Sequence, residues 1–150
     1  MNSLNATFIH RLYDYSHLPE DTFGQRLKNL RLLKGLSQYE LGNQIGMQHS
    51  MIGSYERYEF YPTLDSISKL GNLLDINNLC NEVYSKFLLE SSTFKDKLFE
   101  WRLENNLTKM YASKLLGISE RGYALLENGV IMSVKTYYKV EKNLLRYSLI

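Results

Sequence analysis

Residues 36–56 read LSQYELGNQIGMQHSMIGSYE, and this stretch decides the fold. Ser37 is placed to cap a helix, with Glu40 three residues later reaching back to close a capping box, and Leu41 and Ile45 then fall on one face. Gly46 ends that helix, because a glycine takes the left-handed geometry of a sharp exit at little steric cost. Met47 supplies an apolar residue inside the turn, and Gln48 to Arg57 continue as a second helix whose buried positions are Ile52 and Tyr55. His49, Ser50, Met51 and Ser54 are left on the face that the core does not claim.

Two short helices joined by a tight turn, with a polar face at the start of the second, form a helix-turn-helix whose second helix can enter the major groove of DNA. Further marks lie on either side: Gly24-Gln25-Arg26-Leu27 and Arg31 upstream, and Pro62 before a closing amphipathic helix. With Leu36-Ser37-Gln38, Leu41, Gly46, Ser50, Ile52 and Glu56, they make residues 22–74 resemble the phage-repressor and Cro-like (XRE-type) helix-turn-helix family.

The resemblance implies an all-α bundle of the lambda-repressor type, binding of double-stranded DNA and a role in transcription regulation, that of a repressor. It implies that Arg31 pairs with Glu56 to orient the helices. It implies that Gln38 touches a phosphate and braces the recognition helix, and that Gln48 and Arg57 hold backbone oxygens at its flanks. His49, Ser50 and Ser54 then address base edges, with Met51 close enough for an apolar contact. Phosphate contacts set position and affinity, while base contacts set sequence choice. Ser50 and Ser54 are too short for a two-pronged contact to adenine, whereas His49 can reach N7 or O6 of guanine. Otherwise His49 is an idle exposed side chain, and discrimination leans on bridging water and DNA shape.

Around this centre the chain is helical throughout. Phe8, Leu12 and Tyr15 recur at helical spacing and stop at Pro19, which predicts a short docked helix. Asp21 or Thr22 caps the next helix, whose buried stripe is Phe23, Leu27, Leu30 and either Leu32 or Leu33. The turn RYEFYP, residues 57–62, is aromatic; Tyr58, Phe60 and Tyr61 line the DNA backbone or pack beneath the turn, with packing expected of Phe60. Thr63 caps a helix carrying Leu64, Ile67, Leu70, Leu73 and Leu74. Ile76, Leu79, Cys80, Val83 and Phe87 then predict one amphipathic helix over 75–90 that joins two halves.

The second half repeats the first. At an offset of 71 residues Thr22-Phe23 meets Thr93-Phe94, Leu27 meets Leu98, Arg31 meets Arg102, Ser37 meets Thr108, Gly46 meets Gly117 and Glu56 meets Glu127. Val134, Tyr137 and Val140 continue the match one residue earlier. Repetition of this length predicts two tandem bundles joined by an amphipathic helix: an extension 1–21, a first domain 22–75, a connecting helix 76–92 and a divergent second domain 93–150. Outward positions recur poorly: Gln38 becomes Lys109, His49 becomes Glu120, Ser50 becomes Arg121, Met51 becomes Gly122 and Ser54 becomes Leu125. Lys109 and Arg121 favour nucleic acid, but Glu120 faces phosphate with the wrong sign and Leu125 offers a base only an apolar contact. The second domain therefore either reads DNA or packs against the first domain or another chain.

A chain of 150 residues with 44% hydrophobic content suits one domain or two small ones. Charge alternates in blocks: net −2 over 1–22, +2 over 23–74, −2 over 75–92 and +4 over 93–150. Two basic blocks can approach phosphate, though scattered solvated charge gives a similar pattern. One cysteine, Cys80, with His10, His17 and His49 offers no metal-ligand spacing, and no phosphate loop or nucleophile motif is present. No metal, cofactor or enzymatic activity is expected. No apolar run is long enough to span a bilayer and the first residues lack a signal core, so a cytoplasmic location without membrane contact is expected. The partners expected are duplex DNA, a second copy of the chain or a protein partner of the antitoxin or mobile-element accessory kind.

Overall fold

The structure, a computed structural model, describes residues 18–150. The helix expected around Phe8, Leu12 and Tyr15, with His10 and His17, lies outside the described residues. The architecture is all-α, with no strand among the described residues. The chain divides between Glu82 and Val83 into two compact units.

The first unit contains α1 (Phe23–Leu33), α2 (Gln38–Ile45), α3 (His49–Glu56), α4 (Leu64–Gly71) and the short α5 (Ile76–Leu79). Thr22, rather than Asp21, caps α1 in a reciprocal box with Gln25, and Thr63 caps α4. Leu27, Leu41, Ile52, Ile67 and Leu70 are wholly buried. Each such side chain contributes about 1.5–3 kcal/mol by leaving water, so α1, α3 and α4 are held by their shared core rather than by helix propensity. The α1 stripe fades toward its end: Leu30 and Leu32 are half-buried and Leu33 is exposed.

The single helix expected over 75–90 is two. Leu79 and Cys80 turn into the core of the first unit, and Cys80 leaves helical geometry at φ −101° and ψ 50°. The cause is Arg26. Its Nε donates to the Leu79 carbonyl at 3.1 Å, the acceptor that a continuing helix would have offered to the N–H of Val83. The rest of that buried guanidinium donates to the carbonyls of Glu20 and Asp21 and pairs with Glu82 at 3.3 Å. A new helix, α6 (Val83–Glu90), begins in the second unit, and Val83 is exposed rather than in a shared stripe.

Phe60 also departs from expectation. It is 65% exposed, whereas Tyr61 packs on Phe23 at 5.4 Å between ring centroids and Pro62 is buried. Tyr58 takes φ +63° just past α3, and the reversal it starts turns Phe60 outward.

The second unit contains α6, a 3-10 turn at Ser91–Thr93, α7 (Phe94–Glu104), α8 (Lys109–Leu116), α9 (Glu120–Glu127) and α10 (Val134–Arg146). Thr108, Ser119 and Ser133 cap α8, α9 and α10. Thr93 makes no cap, because α7 grows out of the 3-10 turn. Leu98, Ala112, Leu116, Tyr123 and Leu144 are wholly buried, and Tyr123 donates its hydroxyl to the Leu98 carbonyl at 3.1 Å. Phe87 of α6 meets Phe94 edge-on at 5.0 Å and packs on Tyr137 at the same separation, so α6 belongs to this core.

Candidate nucleic-acid interface

Ser37 accepts from the Glu40 N–H at 3.1 Å while the Glu40 carboxylate accepts from the Ser37 N–H at 2.7 Å, fixing the start of α2. Gly46 then takes φ +66°, and the Met47 N–H donates back to the Gly42 carbonyl at 2.9 Å, closing the turn that aims α3. At its far end α3 is clamped. Arg31 grips Glu56 with two bonds, Nε to Oε1 at 2.6 Å and NH2 to Oε2 at 2.9 Å, and donates a third to the Leu36 carbonyl at 2.8 Å. Both side chains of the pair are buried, 7% and 5% exposed, so it is a fixed joint rather than a solvated contact. Gln38 adds a bond from Nε2 to Glu56 Oε2 at 2.9 Å.

Gly24 completes the joint. A Cβ there would lie 2.3 Å from the Tyr55 carbonyl oxygen and 2.9 Å from that of Glu56. Only glycine lets α1 approach the end of α3 this closely.

Held this way, α3 presents one continuous outward face. Gln48 stands at its N-cap without a side-chain capping bond, His49 and Ser50 are exposed in its first turn, Met51 is 40% exposed and Ser54 is half-buried one turn on. Arg57 stands exposed at its C-cap. The structure therefore gathers Gln48, His49, Ser50, Met51, Ser54 and Arg57 on one element, with Gln38 behind them and committed through its amide to Glu56. The leading N–H groups of α3 add partial positive charge at the same end.

Two residues of this face were not singled out from sequence. Glu59 takes the Arg57 guanidinium in two bonds, at 2.7 and 3.2 Å, while Arg57 also reaches Ser54 Oγ at 3.4 Å. The bond from Arg57, then that from Ser54, holds the Glu59 carboxyl below its ordinary range, so it is ionised at neutral pH. The Arg57-x-Glu59 spacing is no helical spacing, and it becomes a contact only because the chain reverses at Tyr58. Tyr39 is the other: its ring lies 5.8 Å from that of His49, limiting where the imidazole can point. It sits at the outer edge of α2, 62% exposed.

In the second unit Arg102 Nε meets Glu127 Oε1 at 2.6 Å and donates to the Leu107 carbonyl at 3.3 Å. Lys109 stands 3.4 Å from Glu127 Oε2 and is thus tied to the clamp. Burial pushes the Glu127 carboxyl up, but Arg102, then Tyr123 and Lys109, overcome this and hold it below its ordinary range. Arg121 is exposed in the first turn of α9 beside Glu120. Ser119 already accepts from the Gly122 N–H at 3.0 Å, satisfying a donor that the first unit leaves without a side-chain partner.

Among the described residues no cluster of His, Cys, Asp and Glu could hold a metal ion, and no helix is long and apolar enough to cross a membrane.

Comparison with known proteins agrees with this geometry for the first unit. No solved structure matches the chain. A similar protein is the SPbeta prophage-derived uncharacterized HTH-type transcriptional regulator YonR of Bacillus subtilis (strain 168), 36% identical over 55 residues. That alignment covers 37% of this chain and 51% of the relative, so the chain spans about half of the relative's length. A family model described as helix-turn-helix matches residues 27–77, from within α1 into α5, and with the α2–turn–α3 geometry above this stretch is a helix-turn-helix domain of that family.

Proposed function

We propose that the chain is a sequence-specific, double-stranded DNA-binding transcriptional regulator of the Cro and C1 type, a cytoplasmic repressor acting by occupancy of its site, with α3 as its recognition helix. The observation that carries this reading is the exposed row His49, Ser50, Met51 and Ser54 on a helix whose far end is fixed by Arg31, Glu56 and Gln38. A reading face must be held rigidly to discriminate bases, and here the buried joint holds it. Gln48 and Arg57 flank the face where backbone oxygens would lie, and Gln38 braces it from α2. The name of the prophage relative, an HTH-type transcriptional regulator, supports the same reading.

The second unit is read as a divergent copy of the same fold. Its support is the matched length of α8 and α9 to α2 and α3, Gly117 at φ +82° in the turn, and the Arg102–Glu127 bond at 2.6 Å. Lys109 and Arg121 are its basic groups that could meet phosphate.

Selection of bound duplexes from a random pool by the whole chain, at a fixed and stated salt concentration, tests this reading. A short enriched half-site, weakened by His49→Ala, supports it; no enrichment at low salt contradicts it and leaves the fold serving a protein partner. One chain protecting two unlike half-sites would make both units DNA readers, a covalent pseudo-dimer. Two chains protecting equivalent half-sites would leave the second unit to other work.

A further inference from the structure

Tyr39 and Gly42 stand three residues apart on α2, neighbours on one helix face, and both bear on His49 at the start of α3. Gly42 sets the distance. A Cβ there would lie 2.4 Å from the Met47 carbonyl oxygen and 3.3 Å from the His49 nitrogen, so the backbone of His49 is seated closely against α2. Tyr39 meets what is left free, the imidazole. The two rings lie 5.8 Å apart between centroids and are tilted by 57°, within the range of a favourable aromatic pair. Tyr39 is 62% exposed, so its ring fills no part of the core. Neither position keeps its ring 71 residues on, where Met110 and Glu120 stand.

An unrestrained imidazole is a poor reader of sequence. One ring nitrogen donates and the other accepts, so a ring free to turn satisfies an acceptor or a donor on a base edge about equally well. A ring held from one side offers one nitrogen to the groove, and discrimination follows. We propose that Tyr39 is a positioning residue for recognition: by packing against the His49 imidazole it gives His49 its choice of base, without itself touching that base. Restraint present before binding also lowers the cost of ordering the side chain at the correct base pair. The inference rests on the reading of α3 as the recognition helix, and it adds a residue of α2 to those that decide sequence.

Binding of the full chain to the selected duplex and to every single base-pair change of it, by fluorescence anisotropy at fixed salt, tests the inference. His49→Ala marks the base pair that His49 reads, as the one where preference collapses. Tyr39→Ala is expected to lower the preference at that same base pair about two- to tenfold and to leave the other positions as they are. Tyr39→Phe, which keeps the ring, retains the preference, and Tyr39→Ala added to His49→Ala changes nothing further there. An unchanged preference in Tyr39→Ala overturns the inference, as does a His49→Ala chain whose preferences match those of the unaltered one. So does an equal loss at every position, which makes Tyr39 a backbone contact or a support for the fold. A loss in Tyr39→Phe equal to that in Tyr39→Ala overturns it too, because the hydroxyl is then the working group. The ring pair is also read without DNA: the NMR shifts of the His49 ring protons should move in Tyr39→Ala and hold in Tyr39→Phe, and shifts unmoved in both count against the inference. Failure of the DNA-binding reading looks different: no duplex is enriched and the inference falls with it, while the ring-proton shifts still respond to Tyr39→Ala.

Discussion

The two units share a joint and differ in what that joint displays. Arg31–Glu56 and Arg102–Glu127 both close at 2.6 Å, each with the arginine also holding a carbonyl five residues on. Outside the joint, His49, Ser50 and Ser54 stand where Glu120, Arg121 and Leu125 stand in the second unit. The likeness holds through the buried joint and is lost on the outward face, as expected if the joint serves folding and the face, on the reading proposed above, serves recognition. One frame can then carry two functions.

Breaking the joint gives the largest expected effect. Glu56→Ala leaves the Arg31 guanidinium buried without its carboxylate, and the first unit should lose about 3–5 kcal/mol in chemical denaturation. Glu127→Ala should cost less. Arg102 is more exposed, 14% against 7%, and retains the face of Phe99 at 5.4 Å.

Next in size is Gly24→Ala, where the new Cβ meets the Tyr55 carbonyl. About 1–3 kcal/mol of destabilisation is expected, read by the same denaturation. The aligned position in the second unit is Lys95, exposed, so Lys95→Ala should be near neutral.

This pair shows what sequence could and could not disclose. The Ser37–Glu40 capping box, the Gly46 turn and the buried stripe through Leu41 and Ile52 were legible because each is set by spacing along a helix, whereas the Arg31–Glu56 pair, which joins two helices, was implied by the family resemblance. Gly24 was visible as a motif residue, but its reason, the backbone of Tyr55 and Glu56 in another helix, was not. The break at Cys80 was hidden likewise: it depends on Arg26 taking a carbonyl 53 residues distant, and the apolar spacing of Ile76 to Phe87 reads the same with or without it. Phe60 and the Arg57–Glu59 bond share one cause, the positive φ of Tyr58, which no side-chain pattern announces. For the face itself, sequence placed its residues on α3, while Tyr39 and Glu59 came only from the fold.

A smaller effect sharpens the difference between the faces. Arg57 must exchange Glu59 for a phosphate oxygen if it is to hold DNA. Glu59→Gln should therefore tighten duplex binding several-fold and steepen its salt dependence, whereas Arg57→Gln should flatten the log–log slope by about 0.9. Fluorescence anisotropy over a salt series reads both.

The smallest is acid sensitivity in the second unit. The Glu127 carboxyl is held below its ordinary value of 4.5, so its contribution is complete above that value in the unfolded chain. It is lost as pH falls through the lower folded value, where the native carboxylate is protonated too. Thermal melts stepped downward from pH 5 should show this, and Glu127→Gln should flatten the dependence.

The most direct test of the central claim is an NMR titration of the isotopically labelled full chain with the selected duplex. The account predicts amide shifts that are largest at Gln38 and across residues 48–57. Shifts centred on α9, or spread evenly with none on α3, would contradict it.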